Sequence, residues 1–213
     1  MLDLNLSPFI LSFKLAGLTT IILFIISLPL SWYLSQTSSK IKPVLEAITA
    51  LPIVLPPSVL GFYILVVFAP LNLAFTFTGL VIASCFYSMP FMVQPLQSGF
   101  ESLNKNMLEA SYVSGKSKLV TIFRVALPNM KPSLITAVII TFAHTVGEFG
   151  VVLMIGGSIP DETKVASVAI YEMVEIMDYK NAHIYSGIMV GISFLVLLSV
   201  YIFNGRQSRN RLI

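Results

Sequence analysis

Five stretches of the chain are almost wholly apolar, and shorter polar segments separate them. They cover about 15–34, 44–68, 73–93, 132–155 and 185–203. An α-helix needs roughly 20 residues to cross the hydrocarbon core of a bilayer, and each stretch is close to that length. The pattern therefore predicts an all-α integral membrane protein, a single domain over 1–213 with about five transmembrane helices.

Composition agrees with this pattern. The chain is 56% hydrophobic and 11% charged, with a mean hydropathy of +0.87, whereas soluble domains carry about 25% charged residues. The single cysteine, Cys85, lies inside an apolar stretch, so neither a disulfide framework nor a metal site built from several cysteines is expected. No basic patch or motif indicates a nucleic-acid partner.

The second apolar stretch contains Pro52, Pro56 and Pro57. Proline removes a backbone donor and interrupts the hydrogen bonds of a helix. Non-helical backbone persists inside a membrane only where protein or a water-filled cavity covers it. Pro56 and Pro57 are therefore candidates for a transport pathway, and a simple helix kink is the alternative.

A polar stripe runs along the fourth stretch. It consists of residues at helical spacing, namely Ser133, Thr136, Thr141, His144 and Glu148. We expect His144 and Glu148 to form a hydrogen-bonded pair that packs helices, since a metal site would need a third ligand that is not evident. Ionisable groups at membrane depth are also functional candidates. The gate or pathway candidates of this region are Thr141, His144, Thr145, Gly147, Glu148 and Gly150.

The longest polar and basic segment covers about 102–130, and we call it the elbow. Asn104 can cap a first short helix, and Gly115 can adopt the left-handed conformation that ends it. A second helix is predicted from about Ser117, with Pro128 interrupting it. The elbow is therefore expected to be two short helices joined by a turn.

Part of the elbow is close to a phosphate-binding loop. The sequence from Ala110 to Ser117 reads A-S-Y-V-S-G-K-S and lacks the first glycine of G-x-x-x-x-G-K-S. That loop also needs a preceding strand and a nucleotide-binding domain, and neither is predicted here. We expect no nucleotide or other cofactor on this chain.

Basic residues divide unequally between the two predicted sides of the membrane. Cytoplasmic loops carry an excess of lysine and arginine. If the elbow is cytoplasmic, that side holds Lys40, Lys42, Lys105, Lys116, Lys118, Arg124, Lys131, Arg206, Arg209 and Arg211, and the other side holds Lys14, Lys164 and Lys180. The N-terminus is then outside and the C-terminus cytoplasmic. The polar segment 156–182 is outside, and re-entrant and surface-lying arrangements are both open for it.

The elbow resembles the cytoplasmic signature loop of ABC-importer permeases. The matching positions are Glu109, Ala110, Ser111, Gly115, Val125, Leu127 and Pro128, with serine for alanine at Ser111 and valine for isoleucine at Val125. Residues 51–63, 147–150, 156–160 and 169–171 are similar to the oxyanion branch of that family, which includes molybdate, tungstate and sulfate systems. Sulfate permeases of this family are typically longer and have an additional span, so a chain with five predicted spans resembles the molybdate permeases more.

The resemblance implies the fold of a type I ABC importer permease in the cytoplasmic membrane of a prokaryote. It implies a homodimer, two cytoplasmic ATPase subunits that bind ATP and Mg²⁺ and receive the elbow, and an external oxyanion-binding protein. The chain itself would be non-catalytic and would work by alternating access. A secondary transporter needs ionisable residues near the bilayer midplane, and a membrane enzyme needs clustered catalytic side chains. The ionisable residues that a secondary transporter needs are absent apart from the region of His144 and Glu148, and no catalytic cluster is evident.

Overall fold

The computed structural model describes the backbone of residues 5–209, and this part of the chain is helical without strands. Its helices are α1 (Ser7–Gln36), α2 (Lys42–Val54), α3 (Pro57–Phe68), α4 (Phe77–Glu101), α5 (Lys105–Val113), α6 (Lys118–Thr121), α7 (Leu127–Asn129), α8 (Lys131–Gly147), α9 (Gly150–Gly156), α10 (Ala166–Glu175) and α11 (Tyr179–Arg209). A π-helical turn, Ile122–Ala126, joins α6 to α7.

Three helices within the described residues are long and apolar enough to cross a membrane, and two bent pairs raise that number to five. The three are α1, α4 and the part of α11 up to Ser199. The first bent pair is α2 with α3, at 110°, and the second joins the α6–α7 segment to α8, at 81°. An all-helical chain with these apolar helices confirms the predicted fold class.

The structure divides two of the predicted apolar stretches. The stretch 44–68 breaks at Leu55 and Pro56, so a simple kink is the wrong description of it. The stretch 132–155 breaks at Glu148 and Phe149, which apolar composition alone does not indicate. Helices α1 and α11 also begin earlier than predicted: the first turns of α11 are polar, whereas the added part of α1, residues 7–14, is mostly apolar and ends at Lys14. Whether each segment spans the membrane stays a prediction.

Two buried apolar clusters fill the space around α1, α4 and α8. One includes Leu15, Leu80 and Ile155 and joins α1 and α4 to α9. The other includes Phe100 and Ala126 and continues from the long helices into the elbow. The elbow is therefore packed on the helix bundle through one continuous apolar cluster.

The elbow lies at one end of the bundle, and the N-terminal residues lie at the other. At the end opposite the elbow, the Tyr185 hydroxyl donates to the backbone oxygen of Asn5 at 2.6 Å. Helix α10 lies at the same end, where the backbone N–H of Ala166 donates to Ser12 Oγ at 2.9 Å. The arrangement agrees with the predicted separation of the elbow from segment 156–182.

Candidate functional site

The turn of the elbow forms as the sequence predicts. Asn104 Oδ1 accepts a hydrogen bond from the backbone N–H of Asn106 at 2.9 Å and caps α5. Gly115 adopts φ +75°, and its N–H and that of Lys116 bond back to the carbonyls of Tyr112 and Ser111 at 2.9 and 3.2 Å. This pair of bonds satisfies carbonyl groups that α5 would otherwise leave open, and the left-handed position favours glycine.

A hydrogen bond between buried hydroxyls closes the elbow. Ser111 Oγ lies 2.9 Å from Thr121 Oγ1, which joins α5 to α6. Both side chains are buried. Serine at the position where the signature loop has alanine therefore has a partner in this chain, because Thr121 supplies a second hydroxyl.

The outer surface of the elbow is a mixture of polar and apolar groups. Glu109, Ala110 and Pro128 are exposed, whereas Val125 and Leu127 are half-buried. Val113 has 89% of its surface exposed. Burial of this side chain against another protein would be favourable.

The second candidate region lies where two broken helices meet. A Cβ atom placed on Gly150, at the start of α9, would lie 2.7 Å from Cβ of Pro57, at the start of α3. One turn further along α3, a Cβ atom on Gly61 would lie 2.9 Å from Cβ of Met154. The two breaks therefore touch, and only glycine at these positions permits the close approach. Gly147 is different, since a Cβ there would meet nothing within 4 Å.

Glu148 lies inside the second break. Its backbone oxygen accepts a hydrogen bond from Ser167 Oγ of α10 at 2.6 Å. Its side chain is buried, and neither carboxylate oxygen has a hydrogen-bond partner among the described residues. The buried Ser84 hydroxyl on α4 is the polar side chain that interacts with this carboxylate, although the two groups do not form a hydrogen bond of good geometry. An unpaired buried carboxylate is costly, which marks this position as a functional candidate.

The predicted pair of His144 and Glu148 does not form. His144 Nδ1 lies 3.1 Å from Ser88 Oγ on α4, and its ring stacks on Phe91 with 3.8 Å between centroids. The helix ends at Gly147, so the Glu148 side chain leaves the helical stripe and turns away from His144. Ser88 of α4 is the residue that bonds to this part of α8, and sequence reasoning missed both Ser88 and Ser84. Their spacing of four in an apolar helix was the available signal.

Of the two threonines in the candidate set, Thr145 bonds to another helix, and Thr141 contributes its backbone carbonyl. Thr145 Oγ1 donates to the carbonyl of Thr141 at 2.9 Å and also lies 2.9 Å from Ser88 Oγ. Both threonines are buried. The contact between Thr145 and Ser88 joins α8 to α4, as expected where small polar residues let membrane helices approach closely. The Thr141 hydroxyl has no hydrogen-bond partner among the described residues.

Comparison with known proteins decides what kind of chain this is. A family model described as "Binding-protein-dependent transport system inner membrane component" matches residues 18–210. The chain belongs to this family. It is therefore a permease of a transport system, a multi-pass protein of the inner membrane.

The permease has relatives along nearly its whole length. It is 47% identical to "Molybdenum transport system permease protein ModB" of Azotobacter vinelandii, with 92% of this chain and 93% of that protein covered. It is 31% identical to "Probable sulfate transport system permease protein cysT" of Zygnema circumcarinatum, with 97% and 76% covered. It also superposes on a chain of the MetNI methionine ABC transporter, solved in inward-facing conformations, with a TM-score of 0.76, 16% identity and 92% of each chain covered. The permease therefore has the type I ABC importer fold.

Proposed function

We propose that this permease moves molybdate into the cell as the membrane subunit of an ATP-driven importer. The observation that carries the proposal is the 47% identity to a molybdenum permease over more than nine-tenths of both chains. A sulfate permease is also similar, at 31% identity, but this chain covers only 76% of its length. Sulfate or thiosulfate transport is the second candidate.

The surface around Pro56 supports a homodimer. The α2–α3 segment is interrupted at Leu55 and Pro56, and Pro56, Pro57 and Ser58 are all exposed on the single subunit. Irregular backbone at membrane depth is stable only against protein or a water-filled cavity. This surface therefore faces a second copy of the chain and the path between the two copies. Gly147, Glu148 and Gly150 lie behind it, where α9 contacts α3.

The elbow supports a soluble ATPase partner. Segment 102–131 carries five basic residues and one acidic residue, Glu109, so its surface favours a cytoplasmic position. Its exposed Tyr112 and Val113 offer apolar contact at the end of α5, directly before the turn at Gly115. Two ATPase subunits that close on binding ATP and Mg²⁺ would move both elbows. The long helices packed on the elbows would then open the path to one side of the membrane and to the other in turn. An external binding protein would deliver the anion at the opposite end.

Transport of radiolabelled molybdate tests the substrate. The permease, its ATPase and its binding protein are reconstituted in proteoliposomes with ATP inside the compartment that corresponds to the cytoplasm. We expect ATP-dependent molybdate uptake that excess unlabelled molybdate abolishes and excess sulfate leaves largely intact. Uptake of sulfate in place of molybdate would contradict the first candidate and support the second.

Substitution of Gly115 tests the docking role of the elbow. Valine at φ +75° is strained, because its β-branch crowds the left-handed conformation. We expect Gly115→Val to leave the permease in the membrane but to abolish ATP-driven uptake and weaken co-purification of the ATPase. Gly187→Val is the control, since a Cβ there would meet nothing within 4 Å. Normal uptake by Gly115→Val would contradict the docking role.

A further inference from the structure

A cluster of four charged and polar side chains joins α2 to the end of α4. Lys42 Nζ lies 3.3 Å from Glu101 Oε1 and 3.7 Å from Glu46 Oε1. Gln97 Nε2 donates to the same two carboxylates, at 2.6 Å to Glu46 and 3.0 Å to Glu101. We call these residues the Lys42 cluster. One cation and one amide thus hold together two carboxylates that would otherwise repel each other.

Helix α2 has few other attachments to the molecule. It packs mainly on α4, and Thr49 is its one buried residue. Its exposed residues include Ile48, Leu51 and Val54. An element with so little buried surface opens more easily than the helices around it. The Lys42 cluster therefore supplies much of what positions the first two turns of α2.

The start of α2 is unfavourable by local rules. Its N-cap residue, Ile41, provides no side-chain hydrogen bond to the open N–H groups, and the first turn contains no acidic residue. Instead the first residue is Lys42, a cation at the end of the helix where the dipole favours anions. Helix α8 begins with the same Lys-Pro pair and also lacks a side-chain cap, so these local features are not specific to α2. Lys42 at this position bonds to Glu101, which is 59 residues further along the chain.

The cluster lies between two elements that the proposed function requires to move together. Glu101 is the last residue of α4, and only Ser102–Asn104 separate it from the first helix of the elbow. The far end of α2 leads directly to the break at Pro56. A displacement of the elbow therefore reaches the break by way of α4, the Lys42 cluster and α2.

We propose that the Lys42 cluster makes α2 move together with the elbow, so that closure of the ATPase subunits repositions the break at Pro56. This inference rests on the proposed function. Lys42, Glu46, Gln97 and Glu101 are positioning residues in it, because none of them needs to touch the transported anion. The ion pairs are partly exposed, so their loss should affect coupling far more than folding.

Reversal of the charges within the cluster tests this proposal. Lys42→Glu creates three neighbouring carboxylates, and Glu101→Lys leaves two cations with one carboxylate, whereas the double variant restores one cation and two carboxylates. Lys40→Glu is the matched control, since Lys40 is exposed on the same connection and makes no ion pair in the part of the chain that the structure describes. Hydrogen exchange of peptides over 42–54 is measured in the purified permease in nanodiscs. Molybdate transported per ATP hydrolysed is measured in the full assembly.

In both single variants we expect faster amide hydrogen exchange over 42–54 and several-fold less molybdate transported per ATP hydrolysed. Co-purification of the ATPase should be unchanged. The double variant should recover both quantities, and Lys40→Glu should match the wild type. Wild-type exchange and wild-type coupling in both single variants, or no recovery in the double variant, would overturn the inference. A wild-type assembly that hydrolyses ATP but transports no oxyanion would contradict the proposed function instead, and the exchange measurement would still decide whether the cluster holds α2.

Discussion

Glu148 combines a bonded backbone with a buried, unpaired side chain. Ser167 satisfies its carbonyl oxygen, whereas its carboxylate oxygens have no partner among the described residues. The hydrogen bond to His144 that the sequence suggests is absent because α8 ends one residue before Glu148. Leaving a charge unpaired in a low-dielectric interior costs much more than leaving a neutral polar group unpaired. The position therefore tolerates a neutral group of the same shape better than a charged one.

We expect Glu148→Gln to be at least as stable as the wild type, because an unpaired buried amide costs about 1–3 kcal/mol and an unpaired charge costs more. Glu148→Lys should fail to reach a monodisperse state in detergent. Thermal unfolding followed by size-exclusion chromatography checks both, with Glu162→Gln as the exposed control. A clear loss of stability in Glu148→Gln would mean that the carboxyl group has a partner that an amide does not replace, either Ser84 or a charged group of the assembled protein.

The broken helices show how one short contact positions two elements. Pro57 begins α3 and Gly150 begins α9, and the two residues lie against each other without room for a side chain. The Pro56-Pro57 pair forces the first break, because proline cannot continue the hydrogen bonds of a helix. The second break contains no proline and forms where α9 packs on α3 and α10 bonds to Glu148. Movement of one break should therefore displace the other.

Alanine at Gly150 should be more harmful than alanine at Gly147, three positions earlier. The added methyl group at Gly150 overlaps Pro57, so we expect Gly150→Ala to destabilise the permease by about 1–3 kcal/mol and to reduce uptake. At Gly147 the methyl group meets open space, and helix propensity favours alanine there. Melting temperature and uptake of the two variants provide the comparison. Equal melting temperatures and equal uptake in the two variants would show that the contact between the breaks contributes neither to stability nor to transport.

The molecule as a whole has a packed centre and lightly covered sides. Helices α1, α4 and α8 form the centre, together with the elbow at one end. The membrane-length part of α11 is only 11% buried within the subunit, and α2 and α3 are also largely exposed. In a membrane protein such apolar sides face lipid or another subunit, and the irregular α2–α3 surface is suited to a subunit because lipid cannot satisfy its backbone.

The orientation of the permease can be tested with single cysteines in a Cys85→Ala background. Lys40 and Glu162 are both exposed, and they lie in the connection after α1 and the segment before α10. Because basic residues accumulate on the elbow side, we expect a membrane-impermeant maleimide to label Glu162→Cys in intact cells. Lys40→Cys should be labelled only after the cells are opened. Labelling of both positions in intact cells would contradict the five-span topology.

Local sequence determined the features that depend on only a few neighbouring residues. Hydropathy predicted the apolar segments, Asn104 and Gly115 predicted the ends of the elbow helix, and the prolines marked where the second apolar stretch breaks or kinks, since each effect acts through the backbone of adjacent turns. The tertiary structure alone decided which side chains meet. His144 bonds to Ser88, 56 positions away, and Lys42 meets Glu101 rather than only its helical neighbour Glu46. The reason is that partners across helices depend on the rotation and depth of each helix in the bundle, which the periodicity of a single helix does not contain.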